Sequence, residues 1–224
     1  MEAAPLTLVI GNKVYSSWSL RPWLLLKHGG VPFEEVRIPL YLPESKARIR
    51  AWSPAGHVPV LADGPLRIWD SLAICETLAE RFPERCGWPK AAEARAVARS
   101  VSAEMHAGFF SLRHELPFYA PGPRSGVVPS DAARAEIARV QGVWEDCRAR
   151  FGSGGPWLFG AFSPADAMYA PVALRLLTYG VELPPVPAAY AESVRGHPAV
   201  EEWVLAARQE SEVLERFERG TPAH

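Results

Sequence analysis

Apolar and polar positions change rhythm along this chain, and the change falls near residue 90. Leu6-Thr7-Leu8-Val9-Ile10 is a short apolar run that stops at Gly11, the pattern of a buried strand. A helix is expected to begin at Ser17 to Ser19, where serine can cap and Pro22 falls in the first turn. Leu20, Trp23, Leu24 and Lys27 follow at helical spacing, and Gly29-Gly30 supplies the stop. Val36, Ile38 and Leu40 alternate with Arg37 and Pro39, which predicts a second strand near an edge. The strand-helix-strand order requires a crossover, so these two strands are expected to be parallel. Val58 to Leu61 and Leu66 to Trp69 flank Asp63-Gly64, a hairpin signal. Asp70 then opens a helix whose Leu72, Cys75, Leu78, Ala79 and Phe82 share one face. The order is βαβ followed by ββα, a small α/β unit.

After the proline- and glycine-bearing stretch from Phe82 to Pro89 the strand patterns vanish. From Ala91 the segments are long and helical, with breaks at Pro117 to Pro129, Gly152 to Pro156, Gly180 to Pro187 and Gly196 to Pro198. The boundaries follow: residues 1–82 form the first domain, 83–90 a linker, and 91–224 an all-helical second domain. Ser163-Pro164-Ala165-Asp166 carries a serine N-cap, a proline at the first helical position and a carboxylate at the third, with Phe162 as a staple. Such a cap contributes about 1 kcal/mol, so Asp166 reads as a folding residue, not a catalytic acid.

Composition narrows the function classes. The 224 residues are 48% hydrophobic and 22% charged with a net charge of −1, which carries no electrostatic footprint for nucleic acid or an anionic membrane. No apolar run reaches bilayer length, and Met1-Glu2-Ala3-Ala4-Pro5 lacks a basic leader, so a cytoplasmic protein is expected. Cys75, Cys86 and Cys147 are odd in number and widely spaced, so reduced thiols are expected and no disulfide framework. There is no G-x-G-x-x-G, P-loop or H-E-x-x-H. His106 and His114 have no third ligand at useful spacing, so no metal is expected.

The candidate chemistry lies in the loop Asn12-Lys13-Val14-Tyr15-Ser16-Ser17-Trp18-Ser19. It offers hydroxyls where a Cys-x-x-Cys pair would exchange disulfides; a hydroxyl can only donate a hydrogen bond to another molecule's sulfur. Together with Gly56-His57-Val58-Pro59-Val60-Leu61 and Asp70-Ser71, this loop resembles the glutathione-binding half of the glutathione S-transferases of bacterial type. Its Ser-Ser-x-Ser order is most similar to the Ser-Ser-Cys-Ser loop of the zeta, maleylacetoacetate isomerase-like, class. The resemblance implies a thioredoxin-like N-terminal domain, a helical C-terminal domain and a two-fold homodimer. It also implies glutathione as cosubstrate with no other cofactor, a small electrophile as second substrate, and a role in detoxification.

The same resemblance assigns roles. Ser16 is the expected thiolate donor, with Ser17 and then Tyr15 as alternatives. Two units of pKa depression on a thiol need about 2.7 kcal/mol, which a hydroxyl and a helix N-terminus together supply. Trp18 replaces the cysteine of the zeta loop and reshapes the second-substrate pocket, which weakens the case for maleylacetoacetate as substrate. Pro59 is implied to be cis, so that the main chain of Val58 pairs with the cysteinyl unit. His57 is placed near the glycine carboxylate, Ser71 on the γ-glutamyl carboxylate and Asp70 on its ammonium group. The electrophile site is expected on the first long helix of the second domain, from Met105, His106, Phe109 and Arg113, with Met105 and Phe109 one turn apart on one face. The rivals are a glutathione-dependent isomerase or peroxidase, and a non-catalytic binding or regulatory member of the fold.

Overall fold

A computed structural model describes residues 5–223; the residues Met1–Ala4, read above for a leader, lie outside the described part. Strand β1 (Leu6–Ile10) leads through the hydroxyl-bearing loop into helix α1 (Ser17–His28), then β2 (Phe33–Arg37), α2 (Ser45–Arg50), β3 (Val60–Asp63), β4 (Leu66–Trp69) and α3 (Ser71–Arg81). The sheet order is β2-β1-β3-β4. β1 pairs parallel with β2, while β1–β3 and β3–β4 are antiparallel. Successive side chains of β1 point to opposite faces. Leu8 and Ile10 join the main core with α1 and α3, and Val9 joins a smaller cluster with Ile38, Ile49 and Val60 under α2. Both faces are covered, which is why apolar residues of β1 fall on both of them.

Two local readings shift. The edge strand was expected through Leu40, but the ladder ends at Arg37 with one further bond from the Ile38 amide to the Ile10 carbonyl (2.9 Å). Pro39 has no N–H to continue it, and the Leu40 amide turns to the Asn12 side chain instead (2.7 Å). In the hairpin, Asp63 pairs with Leu66, so Gly64-Pro65 is the two-residue turn, with Gly64 at φ 53°.

The segment 83–90 is more than a linker, since Pro83–Cys86 forms a helical turn, α4. Beyond it stand α5 (Ala92–Ala107), α6 (Phe110–Glu115), α7 (Asp131–Phe151), α8 (Pro164–Thr178), α9 (Pro185–Arg195) and α10 (Pro198–Ala207). The strand pairing outside the first domain's sheet is a two-residue ladder, β5 (Arg124–Ser125) with β6 (Thr221–Pro222), and two isolated bridges near Trp157–Ala161, among the described residues. Nearly every residue of α8 is buried, and it packs on α1, α5 and α9. Its start behaves as expected: the Asp166 carboxylate accepts from the Ser163 amide (2.9 Å) and also from Leu158 (3.0 Å).

The expected single helix carrying both Met105 and Phe109 is instead two. The first ends at Ala107; Gly108 intervenes, and Phe109 adopts a left-handed φ of 62° before α6 starts. A Cβ on Gly108 would lie 2.9 Å from the Glu104 carbonyl, so the break exploits a position where only glycine fits. The carboxylate of Glu136 then caps α6 through the Leu112 amide (2.8 Å).

Candidate active site

The hydroxyl loop is held from three sides. Asn12 accepts the Ser16 amide on its carbonyl (2.8 Å). Trp203 of α10 donates its indole N–H to the Lys13 carbonyl (2.9 Å), and Ala120 donates to that of Val14 (3.0 Å). The carboxylate of Glu210, just past α10, accepts the amides of Lys13 (2.8 Å) and Val14 (3.2 Å). The second domain therefore sets the shape of a loop whose sequence belongs to the first.

Ser16 is the N-cap of α1, its oxygen accepting from the Ser19 amide at 3.4 Å. Its hydroxyl donates to Ser19 Oγ (2.7 Å), which also accepts the Gly11 amide (3.1 Å). Ser17 is held differently: its oxygen accepts from the guanidinium of Arg175 on α8 (3.1 Å). Both serines are buried to within a tenth of full coverage, yet both reach the same cleft. Tyr15 is engaged elsewhere. Its hydroxyl donates to Glu218 (2.7 Å) and accepts from the Leu214 amide (3.2 Å), and burial, then Glu218, pushes its pKa up to about 12.

The Val58–Pro59 bond is cis. Among the described residues, neither the amide nor the carbonyl of Val58 has a protein partner, and a main-chain pair left open at a cleft is a site for an added strand. His57 stands exposed beside it and lines the same cleft. Across the sheet, Asp70 sits at φ 76°, and its carboxylate caps α3 by accepting from Leu72 (2.9 Å) and Ala73 (3.2 Å). Ser71 is buried, and its oxygen accepts from Arg21 of α1 at 3.3 Å.

Trp18 packs against two guanidinium groups, 4.2 Å from Arg21 and 5.0 Å from Arg113, with His106 edge-on at 5.3 Å. Arg113 is fixed by donating to the Met105 carbonyl and to that of His106 (3.0 Å). Among the expected electrophile-site residues, Trp18 and Arg113 line the cleft, whereas Met105 and Phe109 are buried in the core and His106 stands outside the lining, paired with Asp70.

The cleft has a volume of about 720 Å³ and lies between the domains. It brings together Tyr15, Ser16, Ser17, Trp18, His57, Val58 and Arg113; Asp70 and Ser71 stand outside its lining. Its charged walls are one-sided, with Lys46, Arg113, Arg175, Arg216 and Arg219 present and no carboxylate among the described residues. Arg175, Arg216, Phe217 and Arg219 escape a motif-based reading. One clue to Arg175 is visible, a single charge in the apolar interior of Pro164–Thr178. The tail residues reach the cleft only because the chain after α10 doubles back, where Glu218 pairs with Arg124 and β6 pairs with β5. No group of three or more metal-ligating side chains occurs among the described residues, and no helix there is long and apolar enough to cross a membrane.

Comparison with known proteins agrees with this architecture. Residues 15–81 match the family model of the glutathione S-transferase N-terminal domain. A probable maleylacetoacetate isomerase of Caenorhabditis elegans is 35% identical over 99 residues, a stretch covering 44% of this chain and 45% of that relative. A glutathione transferase homolog from Burkholderia GL BGR1, solved with bound glutathione, superposes with a TM-score of 0.68 at 24% identity, covering 93% of this chain and 100% of that one. A glutathione S-transferase from Rhodospirillum rubrum F11 gives 0.68 at 21% identity, covering 98% and 97%. At these identities the structural likeness speaks for the fold.

Proposed function

We propose that the chain is a member of the glutathione S-transferase superfamily, and a glutathione transferase acting on a small anionic electrophile, a reading supported by the match of residues 15–81 to the N-terminal family model. The observation that carries the reading is the unpaired main chain of Val58 beside cis Pro59, opening on the same cleft as Ser16 and Ser17. An extended cysteinyl unit pairing there directs its sulfur toward the N-terminus of α1. Ser16 donates its O–H to that sulfur. Ser19, which already holds the Gly11 amide, then turns its own proton onto Ser16 Oγ, so the relay leaves no oxygen unserved. The positive end of α1 adds to the stabilisation of the anion, with the Trp18 amide open among the described residues while those of Ser17, Ser19 and Leu20 are already bonded. Ser17, bonded to Arg175, brings a second polarised hydroxyl alongside.

The thiolate then attacks an electrophile in the cationic part of the cleft. Arg113 and Arg175 stand close enough to Trp18 and Ser17 to receive its charge. A glutathione-dependent isomerase is the second reading, supported by that cationic wall and by the relative described as a probable maleylacetoacetate isomerase. A cytoplasmic two-fold dimer completes the proposal; exposed Leu66 and Trp69 on the outer strand β4 offer it an apolar surface.

The test pairs binding with turnover. Calorimetry with glutathione separates an enzyme from a non-catalytic member of the fold, the latter showing no binding at millimolar concentration. A panel of aromatic halides, cis-enone acids and hydroperoxides then separates conjugation, isomerisation and peroxidase activity. Ser16→Ala is expected to lower kcat by about a hundredfold, as loss of one charge-assisted donor does, while loss of the α1 cap lowers the melting temperature by only roughly 2–4 °C. Full activity in Ser16→Ala together with loss in Ser17→Ala moves the donor role to Ser17.

A further inference from the structure

One cross-domain pair is left over from the mechanism above. His106 Nε2, on α5, lies 3.0 Å from Asp70 Oδ2, at the N-terminus of α3. The other oxygen of Asp70 is already occupied by the amides of Leu72 and Ala73. The Asp70 side chain remains 43% exposed and that of His106 27%, so the outer side of the carboxylate stays open to a ligand while the ring covers its inner side.

We propose that His106 is a further residue of the glutathione site, which sets the pH range over which Asp70 accepts the γ-glutamyl ammonium group. This rests on the glutathione reading given above. A neutral ring donates one N–H to Asp70 and leaves the full negative charge of the carboxylate for an arriving ammonium. A protonated ring forms an ion pair with the same oxygen, so two cations then compete for one carboxylate, and the ammonium is the one that leaves.

The surroundings define which form the empty site holds. The groups facing the ring are Asp70 from α3, Arg21 from α1 and Arg113 from α6, with the Trp18 ring at its edge. Nδ1 of His106 is buried and has no partner among the described residues. An imidazolium would place a second N–H on that nitrogen with nothing to receive it. The geometry thus suits a neutral ring with its proton on Nε2. Burial, with Arg21 and Arg113 adding to it, holds the His106 pKa below the ordinary histidine range although Asp70 pulls the other way. Competition therefore begins only at acid pH, and glutathione in turn lowers the proton affinity of the ring, because linkage is reciprocal.

The experiment is calorimetric titration of the full chain with glutathione from pH 8 to pH 5. Wild-type affinity is expected to stay level and then to weaken, by up to about tenfold per pH unit, below the titration of His106. His106→Gln still donates an N–H but carries no charge, and its profile should be flat over the same range. The des-amino analogue glutaryl-Cys-Gly has no ammonium, and should bind wild-type protein without the acid limb. A wild-type acid limb that persists in His106→Gln, or with the analogue, overturns the proposal and leaves the transferase reading standing. Absence of glutathione binding at every pH overturns that reading and this inference with it. Should His106→Gln fold poorly, proton NMR of the wild-type ring decides: saturating glutathione must lower its pKa, and an unmoved titration overturns the proposal.

Discussion

Arg21 is a buried guanidinium with no carboxylate in hydrogen-bond contact among the described residues, and removing it should stabilise the free protein while weakening its hold on glutathione. The side chain is 2% exposed. Its Nη1 meets only the neutral hydroxyl of Ser71, Nε has no partner, and the Trp18 face lies 4.2 Å away. Burial, then the nearby Arg113, lowers its pKa. Arg21→Met keeps the length and most of the volume. It forfeits a cation–π contact of up to about 2 kcal/mol and one weak hydrogen bond, but removes a desolvation penalty of several kcal/mol. The balance is a gain of about 1–2 kcal/mol, which in a chain of this size raises Tm by roughly 2–8 °C. If the γ-glutamyl carboxylate docks at Ser71, the same substitution deletes its charged donor. That costs about 1.5–3 kcal/mol of binding, or roughly 10- to 150-fold in Kd. Scanning calorimetry with and without glutathione reads both effects. A melting temperature several degrees below wild type with Kd unchanged would refute the reasoning, since Arg21 would then be a satisfied structural group.

Three further outcomes are expected. Asp166→Ala strands the buried amides of Ser163 and Leu158 and removes the cap of α8, so chemical denaturation should show a loss of about 2–4 kcal/mol. At the back of α1, His28 Nδ1 lies 2.9 Å from His197 Nε2 across the domains, and burial followed by His197 pulls the His28 pKa down to about 4. The unfolded chain then takes up the proton first, so stability present above pH 6.5 drains as pH falls toward 4. After discounting for partial exposure this is about 1–2 kcal/mol, and His28→Gln should flatten the fall in Tm between pH 7 and 4.5. Glu210→Ala frees the Lys13 and Val14 amides; hydrogen exchange at those two positions should accelerate, and kcat/KM should drop several-fold while helix content stays constant.

The parts of the fold that local chemistry dictates were legible beforehand. β1, α1, the hairpin and the capped start of α8 each carry their own signal: an apolar run, a serine cap, a Gly-bearing turn, a Ser-Pro-x-Asp box. The α5–α6 break was missed because Gly108 alone looks tolerable inside a helical pattern. What marks the break is the left-handed φ of Phe109 and a cap on α6 from Glu136, 28 residues beyond Gly108. The reading of the site divides along the same line. The hydroxyl loop, Val58-Pro59 and Asp70-Ser71 are contiguous and can be recognised in order. Arg175 and the returning tail are brought in by packing over long sequence separations, as when Arg175 reaches Ser17 across 158 positions, and no local pattern announces such a contact.

The distribution of charge links the two halves of the problem. The chain is nearly neutral, with 24 lysines and arginines against 25 aspartates and glutamates, yet among the described residues the interdomain cleft is lined by five of the former and none of the latter. Such a wall repels itself in the empty protein, and its field is concentrated by low-dielectric surroundings. The cations come from separate sources: Lys46 from the first domain, Arg113 and Arg175 from the second, Arg216 and Arg219 from the tail that doubles back over Tyr15. An anion bound there relieves repulsion among all three parts at once. Glutathione brings two carboxylates and, once ionised, a third negative centre at sulfur. The wall proposed to select an anionic second substrate has a further consequence. On the function proposed above, it also favours the thiolate over the thiol through the same charges, and the hydroxyl of Ser16 then needs to supply only part of the required shift.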